Sequence, residues 1–202
     1  MEANMNGEFT EEKIHEKLWN HLTNLHDQDC IVKNWKGWSY RRGKEKREKS
    51  FFYREFDVAR FHREQHQHTT NLWLYGYEVK GYEKITRKTK GEIKVIYKEP
   101  TFGLGIEQAL VLLYQGADYA YLVIPESKKE RDKNNLQDFC EKYARNIGLM
   151  FLTEQGTFWE FRKAERNLYS TEDRKKKMLT SLTAAGQFSN IKSPDWCRKH
   201  EF

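Results

Sequence analysis

Glu78, Val79 and Lys80 follow one another in a stretch that reads as a β-strand, and Asp57 sits in an earlier apolar stretch, Phe56-Asp57-Val58-Ala59. Residues two apart on a strand share a face, so Glu78 and Lys80 project together, about 7 Å apart along the backbone. If the strand carrying Asp57 pairs beside them, its carboxylate approaches Glu78 from the neighbouring row. Two acids and an amine at one spot suit phosphodiester hydrolysis, in which a hard divalent cation holds the scissile phosphate, activates water and offsets developing charge. Asp57 and Glu78 are the expected oxygen ligands. Carboxylates this close resist ionising together unless a cation or an amine compensates; Lys80 compensates in part and is placed to orient or deprotonate the attacking water. A Glu-x-Lys spacing alone is common on solvated strands. Here Tyr75, Tyr77 and Val79 fill the opposite face and Gly76 lies beside the pair, and charges inside such apolar strands need a reason.

These residues need a sheet to hold them. Thr10, then Glu11, Glu12 and Lys13, mark a helix start, and Ile14, Leu18, Leu22 and Leu25 recur at helical spacing down to Asp27. A short strand is expected over 30–38, then a basic loop or hairpin over 41–49. Residues 51–62 and 71–82 are rich in aromatic and branched side chains and predict two adjacent strands. Residues 83–98 predict a hairpin that extends this sheet, with Thr89-Lys90-Gly91 as its turn and Ile93, Val95 and Tyr97 alternating on one face. A buried helix over 106–116, a buried strand over 119–124, an amphipathic helix over 134–146 and a short strand over 148–153 complete the series. The expected fold class is α/β, a mixed sheet with helices on both faces. Residues 1–161 are expected to form the main domain and 162–202 a charged extension, helical around 171–182.

The chain has 202 residues, enough for one domain of ordinary size. Its net charge of +6 suggests a polyanionic partner, because Lys and Arg gain affinity by displacing counterions from phosphates. Cys30, Cys140 and Cys197 are widely spaced and contain no C-x-x-C pair, which argues against a disulfide framework or a zinc ribbon and predicts a reducing cytoplasm. The apolar runs at 109–114 and 119–125 are too short to span a bilayer.

With these residues in view, the chain resembles the PD-(D/E)XK nuclease superfamily, which includes many restriction enzymes and archaeal Holliday-junction resolvases. The resemblance covers residues 10–153 in element order. It is carried by Asp57-Val58-Ala59, by Glu78-Val79-Lys80, by the helix from Ile106 and by Ala117-Asp118-Tyr119-Ala120-Tyr121. Phe56 stands where the family name has Pro. The resemblance implies a restriction-endonuclease-like fold and a Mg2+-dependent endonuclease acting on DNA, with Mn2+ expected to substitute, and a possible homodimer. It also implies that an acid of the first helix completes the metal site: Glu11 is placed for this by its spacing to Ile14 and Leu18, with Glu12 and Glu16 as competitors. Gln108 corresponds to a polar residue that some members direct at the site. The alternatives are an RNA-directed nuclease or an inactive nucleic-acid-binding module of the same fold.

Other features carry less. His62, His66 and His68 lack the Cys partners of a zinc site and suit a polar turn near nucleic acid. Gly103-Leu104-Gly105 lacks the ending of a nucleotide loop and reads as a helix entry. Glu55 shares a strand face with Asp57. Trp35, Trp38 and Tyr40 beside basic residues could stack on unpaired bases, although core packing is the default for two of the three.

Overall fold

A computed structural model describes residues 7–35, 56–67, 69–89, 92–184, 191–199 and 201. The basic run at 36–49, Trp38, Tyr40, Glu55, His68 and the Lys90-Gly91 turn lie outside these residues.

The predicted first helix is α1, Glu11–Leu25. Its apolar stripe Ile14, Leu18 and Leu22 is buried, and the acids Glu11 and Glu12 occupy its first turn, where the helix dipole favours negative charge. Strands β1 (Cys30–Trp35), β2 (Phe56–Gln65) and β3 (Thr70–Val79) form an antiparallel meander. After β3 come β4 (Glu83–Thr89) and β5 (Glu92–Lys98), then α2 (Phe102–Gln115), β6 (Tyr119–Pro125), α3 (Glu130–Tyr143), β7 (Ile147–Leu152), β8 (Phe158–Arg162), α4 (Glu172–Ala184), β9 (Ile191–Lys192) and α5 (Asp195–Arg198).

Seven strands make one mixed sheet in the order β8-β7-β6-β3-β2-β1-β9, with β3, β6 and β7 parallel and the rest antiparallel. Alternation along the central strands builds a core on each face. Leu74, Leu122 and Leu149 pack with Ile106 and Leu112 of α2 and Leu136 and Cys140 of α3, whereas Val58, Tyr77 and Val123 pack with the α1 stripe. The chain is thus α/β, a mixed open sheet flanked by helices.

Three details differ from the expectations. β4 and β5 pair with each other as a separate two-stranded ribbon and do not extend the main sheet. β4 carries one apolar residue, Ile85, among charged residues and threonines, so it brings no apolar face to match that of β5. Gly103 and Gly105 lie inside α2, and α3 begins at Glu130.

The segment after residue 162 packs onto the same core. Met178 and Leu179 of α4 and Trp196 and Cys197 of α5 are buried in it, and β9 adds to the β1 edge. Lys175 of α4 is fully enclosed and meets Asp118, just before β6, at 3.0 Å. Asp118 also accepts the Leu74 N–H at 2.8 Å, so one carboxylate joins β3 to α4. No helix among the described residues is long and apolar enough to cross a membrane.

Candidate active site

The β2–β3 ladder runs from Gln65↔Thr70 to Val58↔Tyr77. One step further, Asp57 falls opposite Glu78, but there the backbone pairing ends while β3 continues along β6 as far as Val79↔Val123. Asp57 fills the gap: its Oδ2 accepts the Val79 N–H at 2.7 Å in place of a strand carbonyl. The two strands therefore fork where the acids lie. β1 is irregular at the same place. Asn34, between the Lys33↔Val58 and Trp35↔Phe56 pairs, falls opposite Asp57 with φ 53°, the one non-glycine residue in the left-handed region among those described.

Lys80 closes the group. Its backbone N–H donates to Val123 O at 2.9 Å, which holds the residue at the end of β6, and its Nζ lies 2.9 Å from Glu78 Oε1 and 3.4 Å from Glu11 Oε2. Glu78 is buried, whereas the Glu11 side chain is 53% exposed at the start of α1. Glu12 and Glu16 are also exposed and form no ion pair among the described residues, so Glu11 is the first-helix acid that meets Lys80. Gly81 explains the approach of α1: a Cβ there would lie 2.3 Å from Glu11 N and 2.6 Å from Phe9 O.

From the other face, Gly105 of α2 lies against the Lys80 stem, with room for no Cβ because one would come within 2.9 Å of Lys80 Cγ. Gln108, one turn along, is buried, and its Oε1 has no hydrogen-bond partner among the described residues. Burial raises the Asp57 pKa; the Val79 N–H, Lys80 and His15 oppose the shift and Glu11 adds to it. Burial pushes Lys80 down, but the Glu78 carboxylate, aided by Glu11 and Asp57, more than reverses this, so its pKa is raised and it is a cation at neutral pH.

His15 was not singled out by the sequence reading. It follows Glu11 by one helical turn, and its Nε2–H donates to the Asp57 carbonyl oxygen, tying α1 to the fork. That i, i+4 spacing to Glu11 was the available signal. The histidines considered for zinc lie elsewhere: His62 donates to Asp29 at 2.8 Å and His66 pairs with Glu64 at 3.6 Å. Asp29 also pairs with Arg60, whose guanidinium donates to His26 Nε2 at 2.7 Å and lies over the Tyr75 ring.

Comparison with family models, curated proteins and solved structures gives no match. The chemistry must be read from the geometry. The donors suit a hard cation: Asp57 Oδ1 makes no hydrogen bond among the described residues, Glu78 adds a second carboxylate, and burial makes ionised Asp57 unfavourable without a positive partner. Among the described residues no group of three or more His, Cys, Asp and Glu is close enough to enclose an ion. Two protein ligands with water and substrate oxygens for the rest is how Mg2+ is commonly held. Two residues beyond Lys80, Tyr82 lines a cleft of about 310 Å³ together with Phe9, Phe102, Pro125 and Lys128.

Proposed function

We propose that this chain is a metal-dependent endonuclease that hydrolyses phosphodiester bonds in DNA on the plan of the PD-(D/E)XK superfamily, with a restriction-endonuclease-like sheet. The observation that supports it most is the meeting of Asp57, Glu78 and Lys80 at the fork between β2 and β3, where the backbone pairing stops.

Each residue has a part that follows from its surroundings. Asp57 and Glu78 would hold Mg2+ or Mn2+. The bound ion would neutralise the phosphate and lower the pKa of its water. Lys80, kept protonated by Glu78, orients water by donation and stabilises the negative charge that grows on the phosphoryl oxygens; proton loss from Lys80 requires that Glu78 first be engaged elsewhere. Glu11, half exposed beside Lys80, would accept a proton from the solvent side or add a third carboxylate to those that hold the ion. Gln108, one turn after the Gly105 that packs on Lys80, has an unused acceptor among the described residues and would be the polar group that α2 directs at the site. His15 is a positioning residue for the Asp57 backbone. Paired cuts across a duplex need two such centres, so a symmetric homodimer belongs to the proposal.

Incubation with a panel of duplex DNA, single-stranded DNA and RNA, with and without magnesium, tests the reading. Mg2+ or Mn2+ should support cleavage of DNA, and Ca2+ should support binding with little turnover, because it keeps the charge but relaxes the geometry around the water. Equal cleavage in a chelator would remove the metal from the mechanism, and binding without cleavage under every metal would favour an inactive module.

A further inference from the structure

The β4–β5 ribbon is unexplained by the fold. Among the described residues its strands pair with each other alone, and no part of the seven-stranded sheet continues into it. A two-stranded ribbon seldom persists without something to pack against. This one is rooted firmly: Tyr82 N–H donates to Phe9 O at 2.8 Å, Thr10 bridges to Tyr82, and a Cβ at Gly7 would come within 2.9 Å of the Tyr97 hydroxyl. Its root is thus fixed to the start of α1 and lies three residues past Lys80.

The strands carry Lys84, Arg87, Lys88, Lys94 and Lys98 against only Glu83 and Glu92. Their register sets Arg87 opposite Lys94 and Lys98 opposite Glu83. Lys84, Arg87 and Lys98 form no ion pair among the described residues. Val95 and Ile96 are 47% and 42% exposed, on opposite faces of the ribbon: Ile96 shares its face with Arg87 and Lys98, and Val95 with Lys84. Unneutralised cations beside exposed apolar groups fit a polyanion that also offers an apolar surface. Seven residues extend about 23 Å, and the major groove of B-DNA, about 12 Å wide, admits a two-stranded ribbon.

We infer that the β4–β5 ribbon is an arm that grips double-stranded DNA, laid along the groove with its cations on the phosphates, and so holds the duplex across the Asp57–Glu78–Lys80 fork. The assignment of DNA rests on the proposed function. The arm itself is tested by binding alone. Affinity of the full chain for a fluorescein-labelled duplex of about 30 base pairs would be measured in a chelator over a range of salt concentrations. The variant Lys84→Gln/Arg87→Gln/Lys98→Gln should bind at least tenfold more weakly, and the slope of log K against log salt should fall in magnitude by about 2 to 3, near 0.9 for each lost phosphate contact. Arg87→Lys, which keeps the charge, should keep the slope. All three variant positions are exposed, and an unchanged melting temperature verifies folding.

An unchanged slope in the folded triple variant, with tight binding by the parent, overturns the arm and leaves the nuclease reading intact. A parent that binds no duplex, or that binds single-stranded RNA through these same residues in preference to duplex, overturns the assignment to duplex DNA. If Lys80→Ala proves silent in cleavage while the salt slope still responds to the arm, the catalytic reading fails and the arm stands.

Discussion

Asp57 Oδ2 accepts the Val79 N–H at 2.7 Å, and this carboxylate-to-backbone bond occupies the place where the β2–β3 ladder would otherwise continue. One residue is thus both the strand-end acceptor and the acid of the candidate centre, which ties the fold of the fork to its chemistry.

That dual role gives a stability prediction. The folded pKa of Asp57 is raised by burial, so folding favours the protonated form: the stabilising contribution is full below the ordinary carboxyl pKa and is lost as pH rises through the raised value. At pH 7 the ionised group is therefore a liability when no metal is present. Asp57→Asn, which can still accept the Val79 N–H, should melt higher than the parent in a chelator at pH 7, by about 2–4 °C for each 1 kcal/mol relieved, and the gap should narrow toward pH 4. Adding Mg2+ should raise the parent's melting temperature and leave that of Asp57→Asn unmoved.

His26 has the opposite sign. Burial, with the Arg60 guanidinium beside it, pushes its pKa down to about 4 from 6.5. The unfolded chain then binds the proton more readily, so stability is full above pH 6.5 and is lost as pH falls toward 4. Arg60 can only donate, which makes Nε2 the acceptor and keeps the ring neutral. Thermal melts of His26→Gln and the parent between pH 7 and pH 4.5 should show a flatter profile for the variant; parallel profiles would mean that His26 takes up its proton in the folded state.

Asp118 and Lys175 form a fully enclosed ion pair. Asp118→Ala should destabilise by about 1–3 kcal/mol, because the buried Leu74 N–H loses its acceptor and the Lys175 ammonium keeps only the half-exposed Glu172 carboxylate, at 2.8 Å, and the Leu72 carbonyl. Asp118→Leu combined with Lys175→Met should be markedly less harmful than Asp118→Ala alone. Denaturant titration of the three proteins decides this, and a loss below about 1 kcal/mol in Asp118→Ala would mean that water reaches Lys175.

Much of this was legible in the sequence where one face of an element is apolar. The stripe of Ile14, Leu18 and Leu22 marked α1, and the apolar runs of β2 and β3 placed Asp57 and Glu78 on neighbouring strands, whereas Lys80, expected on the same strand as Glu78, lies one residue past the end of β3. The ribbon was legible as a hairpin but not as a separate sheet, because Ile93, Val95 and Tyr97 alternate as they would on a sheet edge while the charges of β4 leave no matching face. The Asp118–Lys175 pair joins residues 57 apart and has no local pattern to betray it. Short edge strands such as β9 owe their pairing to tertiary contact, which propensity does not report. The acids at Glu130 and Asp132 were an available start signal for α3, and His15 stood one turn past Glu11 in plain view.

The central claim is that the group at the fork performs hydrolysis, and Lys80 tests it most directly because it meets Glu78 and Glu11 and is not one of the two metal ligands. The single-turnover rate of DNA cleavage in Mg2+ would be measured for Lys80→Ala beside the parent, with the Mg2+-induced shift in melting temperature recorded for both. The account predicts a rate at least about a hundredfold lower with the metal shift retained, the scale expected when a positioned charge-stabilising group is lost. Cleavage at the parental rate by a folded Lys80→Ala protein would contradict it and leave Asp57, Glu78 and Lys80 as a structural ion-pair cluster.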